Sequence, residues 1–190
     1  MATKNQRTYS RDKVVSELTS FYECLVELYL PSSALKYPPQ GGWPDITPEY
    51  LAFMEKNDTI VDIIRHIPFI RQDEDSKPYQ IYEKTSAVDY NGGTFHGIAS
   101  LDKPYPDVAD PLEEMTTLPS HVVTLAKTSG GRDGYYIFLD TERGTITYCD
   151  FQDGPEHTDL SQVGVKPGFH ERVFKSSIEA DALTTWFGSQ

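Results

Sequence analysis

The feature that most constrains this chain is a pair of short β-prone runs separated by four residues. Tyr135-Tyr136-Ile137-Phe138-Leu139-Asp140 is followed by Thr141-Glu142-Arg143-Gly144 and then by Thr145-Ile146-Thr147-Tyr148-Cys149-Asp150-Phe151. Aromatic and β-branched residues dominate both runs, and the link ends in Gly, which supplies the positive φ that a hairpin loop of this length uses. The pattern predicts a β-hairpin over 135–151. Its first strand is apolar on both faces, which suits a strand covered on both sides, so the hairpin belongs at the centre of an antiparallel sheet. Gly130-Gly131-Arg132-Asp133-Gly134 leads into it. That run reads as a turn requiring positive φ rather than an anion-binding nest, because Asp133 sits inside it.

The rest of the chain supplies helices to cover such a sheet. From 12 to 29, Val14, Val15, Leu18, Phe21, Tyr22, Leu25, Val26, Leu28 and Tyr29 recur at spacings of three and four, with Glu17, Glu23 and Glu27 between them. This stripe predicts a helix that Pro31 stops, and it places Cys24 among buried neighbours. Thr47-Pro48-Glu49 carries a cap residue, a proline and an acid ahead of Tyr50, Leu51, Phe53 and Met54, and so predicts a short helix. Asn57-Asp58-Thr59 breaks it, and Ile60, Val61, Ile63, Ile64 and Ile67 predict another that ends before Pro68. Strands are expected over 79–82 and 87–90. Ser176 and Glu179 have capping-box spacing ahead of Ile178, Leu183, Trp186 and Phe187, which predicts a terminal helix over 177–187. The expected fold class is α+β: a flexible tail over 1–11, then one domain over 12–190 with the central hairpin covered by helices.

Charge narrows the partners. The 190 residues carry 17 Lys and Arg against 29 Asp and Glu, a net charge of −12. Residues 1–36 hold five bases and four acids, so the remainder holds a surplus of 13 negative charges. Such a surface repels phosphate backbones, which makes DNA an unfavourable partner and a basic protein an attracted one. No apolar run is long enough to span a membrane, and the first residues lack the apolar core of a secretory signal. The two cysteines, Cys24 and Cys149, suit a reducing, cytoplasmic setting. Residues 102–119 contain Pro104, Pro106, Pro111 and Pro119 and read as an exposed connection. Its acids Asp107, Asp110, Glu113 and Glu114 are the candidate partner-binding residues.

Catalytic signatures are absent from the sequence: it holds no P-loop, dinucleotide fingerprint, nucleophile elbow, His-Glu-x-x-His or Cys-x-x-Cys motif. No cofactor is implied. Asp150, Asp153, Glu156, His157 and Asp159 are the densest set of possible metal ligands, but their spacing is not that of an EF-hand and they read as a solvated turn. His66, His96, His121 and His170 have no partner that spacing alone reveals. No metal site and no catalytic residue is assigned.

Ala126-Lys127-Thr128-Ser129-Gly130-Gly131-Arg132-Asp133-Gly134, running into Tyr135 to Asp140 and then Gly144 to Phe151, resembles the glycine, strand, hairpin and aspartate pattern of the SUKH superfamily. That superfamily includes fungal cell-wall regulators and bacterial toxin-immunity proteins. Trp43-Pro44-Asp45-Ile46-Thr47-Pro48 and the later Ile67-Pro68-Phe69-Ile70 are similar to segments of filamentous-fungal proteins. The resemblance implies a non-enzymatic interaction module and transfers no catalytic residue. The alternative is a small enzyme of fungal specialised metabolism, such as an arginine-containing cyclodipeptide synthase, with a site in an aromatic-lined pocket.

Overall fold

In the computed structural model, the described residues are 9–71, 77–93, 95–96, 118–129, 134–150 and 177–179. Helix α1 spans Arg11–Leu28. It begins where Ser10 Oγ accepts from the Lys13 amide, and it buries Val14, Leu18, Tyr22 and Leu25, one stripe at helical spacing. Its end forms when the amides of Tyr29 and Leu30 both bond the Leu25 carbonyl, just ahead of Pro31. Cys24 is exposed rather than buried. It stands two residues from Tyr22, about 200° around a helix of 3.6 residues per turn, and so faces away from the core.

Asn57, expected to break the chain, caps α2, Asp58–His66: its Oδ1 accepts from the Ile60 amide at 3.0 Å. Ile60, Val61, Ile63 and Ile64 are buried, and Ile67 turns to extended backbone before Pro68. The cap predicted at Thr47 forms, since its Oγ1 accepts from the Tyr50 amide at 3.1 Å, yet no α-helix follows. A single 3-10 turn, Ala52–Met54, closes on Glu55 in the left-handed region at φ 52°.

Short strands β1, Leu35–Lys36, and β2, Phe69–Ile70, pair with each other. The main sheet is antiparallel with order β3-β4-β5-β6-β7-β8, from β3 (Gln80–Tyr82) and β4 (Thr85–Ala87) through β5 (Val122–Thr128), β6 (Tyr135–Asp140) and β7 (Thr145–Asp150) to β8 (Ser177–Glu179). The fold is α+β, and the predicted hairpin is interior to the sheet. β6 and β7 pair from Tyr135↔Asp150 to Asp140↔Thr145, and Gly144 closes the turn at φ 62°. Two strand expectations need correction. The second strand is 85–87, not 87–90, because a tight turn at Glu83-Lys84, with Lys84 at φ 48°, reverses the chain sooner. Ser177–Glu179 is a strand paired to β7, not the first turn of a helix; its alternation polar, apolar, polar fits a strand as well as the cap spacing fits a helix. Residues 180–190 lie outside the described set.

One apolar cluster joins Val14, Leu18, Tyr22 and Leu25 of α1 and Ile60, Ile63 and Ile64 of α2 to Val123, Leu125, Leu139 and Ile146 of the sheet. The other face of the central strands is buried as well, at Val122, Thr124, Phe138 and Thr147. The two-sided apolar character of β6 therefore reflects burial on both faces.

Candidate functional site

The two ends of the β6–β7 hairpin differ in chemistry. At the turn end Asp140 is 2% exposed, and its Oδ1 accepts from the amides of Glu142 and Arg143, both at 2.9 Å. Arg143 Nε lies 3.6 Å and His121 Nε2 3.9 Å from Asp140 Oδ2. The amide and hydroxyl of Thr141 both donate to the His121 carbonyl at 3.0 Å. A carboxylate so occupied is a turn-stabilising group. The imidazole stands beyond hydrogen-bond distance of that carboxylate, and its Nδ1 lies 3.5 Å from Glu142 Oε1.

At the open end three phenol rings meet. Tyr135 and Tyr148 stack with centroids 4.2 Å apart, and Tyr82 from β3 approaches them at 5.4 and 5.9 Å. Gly134, at φ 115°, makes this approach possible: an added Cβ would run into the Lys84 carbonyl oxygen in the β3–β4 turn. Burial first, then hydrogen bonds with Tyr82 and Tyr135, push the Tyr148 phenol far above its ordinary range.

The last turn of α1 reaches the same edge of the sheet. Tyr29 Oη donates to the Gln80 carbonyl, and Tyr37 Oη donates to Glu23 Oε1 at 2.9 Å. Leu28, Tyr29, Tyr37 and Tyr82 are exposed at 71, 57, 51 and 37%, although three of them are large aromatics. Exposed Glu23, Glu27 and Glu83 stand among them. This tyrosine face is the candidate site. Sequence reasoning missed it because Leu28 and Tyr29 continue the apolar stripe of α1 by spacing. The available signal was the cluster Leu28-Tyr29-Leu30 against Pro31, where the stripe outruns the helix.

Asp107, Asp110, Glu113 and Glu114 lie outside the described residues, as do Gly130 to Asp133, Asp153 to Asp159 and His170. The end of the 102–119 connection is described, and there Leu118 is buried, not exposed; Lys56 Nζ donates to the carbonyls of Leu118 and Pro119. His66 rests on its own helix, with Nδ1 2.7 Å from the Asp62 carbonyl, and His96 lies against the Tyr50 ring at 5.1 Å. Among the described residues no group of three or more His, Cys, Asp and Glu is arranged to hold a metal. No described helix is long and apolar enough to cross a membrane. No protein-family model, curated protein or solved structure matches the chain.

Proposed function

We propose that this protein is a non-enzymatic interaction module of SUKH type that docks a basic protein partner on its tyrosine face. The observation that carries the reading is the exposure of Leu28, Tyr29, Tyr37 and Tyr82 on one edge of a chain of net charge −12. Tyrosines supply large contact area at low entropic cost together with a hydroxyl, which is why they concentrate in interfaces. The acidic body attracts a basic partner over distance, and the rings then hold it at short range. Acids of the 102–119 connection, Asp107, Asp110, Glu113 and Glu114, contribute to the attracting field. A cytoplasmic setting agrees with the two cysteines, Cys24 and Cys149.

The test is titration with poly-L-lysine at low and at about 0.3 M salt, with wild type and with Tyr29→Ser/Tyr82→Ser. Affinity falls with salt, because screening shortens the range of attraction to less than about 8 Å. It falls further in the double variant. Association that ignores the tyrosines would reduce the interaction to bulk charge and overturn the reading.

A further inference from the structure

The C-terminal end of α1 is electrostatically unfavourable as it stands. Glu23 and Glu27 are four residues apart on the helix surface, a like-charge spacing that destabilises. Glu27 lies in the final turn, where the helix dipole is negative and cations, not carboxylates, are stabilising. The last turn contains no basic residue, and no Lys or Arg among the described residues forms an ion pair with either carboxylate. Beside them stands the half-exposed ring of Tyr37, held in place by its bond to Glu23. Two carboxylates, the end of a helix and an exposed aromatic ring thus stand together, and among the described residues no Lys or Arg is paired with either carboxylate.

We infer that this corner binds an arginine side chain from an extended segment of a partner protein, its guanidinium stacked on Tyr37 and paired with Glu23 and Glu27. The inference rests on the interaction-module reading and specifies the partner's chemistry. Arginine fits better than lysine because its planar cation stacks on an aromatic face while its fork of donors engages carboxylates, which a compact ammonium does not reproduce. Exposed Leu28 and Tyr29 offer apolar contact to the flanking residues of the segment.

The experiment measures fluorescence anisotropy with three labelled Gly/Ser peptides of one length that carry arginines, lysines or citrullines. Far-UV circular dichroism verifies folding of each variant; the altered side chains are exposed, so the fold is retained. The arginine peptide binds about tenfold more tightly than the citrulline peptide and several-fold more tightly than the lysine peptide, as a stacked and paired guanidinium contributes about 1–2 kcal/mol. Glu23→Gln and Tyr37→Leu each weaken the arginine peptide about five- to tenfold and leave the citrulline peptide unchanged. Equal binding of arginine and lysine peptides, or indifference to Glu23→Gln, overturns the arginine corner. In that case, salt-sensitive binding still lost in Tyr29→Ser/Tyr82→Ser leaves the basic-partner module standing. Absence of binding by all three peptides together with absence of poly-L-lysine binding overturns both.

Discussion

One hairpin carries two ends built on opposite terms. At the turn, Asp140 is buried with two backbone amides on one oxygen and a guanidinium near the other. At the open end, aromatic rings are left in solvent and the carboxylates of the adjoining helix terminus pair with no Lys or Arg among the described residues. Polar groups satisfied from within contribute to stability, whereas groups left in surplus at the surface are available to something outside the chain. The contrast separates the part of this molecule that holds the fold from the part that can act.

The largest expected effect tests whether the open end is as firmly built beneath its exposed rings as the turn end is. Gly134→Val places a Cβ against the Lys84 carbonyl at a φ that branched residues do not adopt, and should destabilise by about 3 kcal/mol, seen as a lowered urea midpoint. An unchanged midpoint would show that β6 and the β3–β4 turn are not locked together. Next, Asp140→Ala leaves two backbone amides without their acceptor and should cost about 2 kcal/mol in the same assay, with no change in peptide binding. A loss of binding without loss of stability would move the functional end to the turn.

A third expected effect is alkaline. Burial, followed by the Asp62 carboxylate, pushes the Tyr9 phenol up to about 12; burial, followed by Asp89 and Asp45, does the same for Tyr50. Tyr22 and Tyr148 are raised further, chiefly by burial. A folded pKa above the unfolded value of about 10 means that stability from these phenols is complete below pH 10 and is lost as pH climbs through 12. Absorbance at alkaline pH should therefore show exposed tyrosines ionising first and the buried ones only with unfolding. A single transition for all 12 tyrosines near pH 10 would contradict the packed cluster. The smallest effect concerns the surface itself: Tyr29→Ser and Tyr37→Ser should each change folding stability by less than about 1 kcal/mol, since both rings are more than half exposed. A larger loss would make those rings part of the fold.

How much of this was legible depends on whether local chemistry decided the outcome. The hairpin, with Gly144 at its turn, and the apolar stripes of the two helices were readable because periodicity acts within a few residues, whereas Ser10 read as part of a loose tail and Asn57 as a break, and both turned out to be caps. The failures share a different cause. Ser177–Glu179 joins the sheet through pairing with β7, and the strand at Thr85–Ala87 is set by a non-glycine turn at Lys84 that no Gly or Asn advertises. The tyrosine face was illegible because Tyr82, Tyr135 and Tyr148 come from three strands, and their meeting depends on how those strands twist together.

The most direct test of the central claim follows backbone amide shifts in two-dimensional ¹⁵N NMR while the arginine-bearing peptide is added. The account predicts the largest shifts at Glu23, Glu27 to Tyr29 and Tyr37, smaller ones at Gln80 to Tyr82, and none from Asp140 to Gly144. Shifts concentrated at the Asp140 turn, or absent from the end of α1 when the peptide is bound, would contradict it.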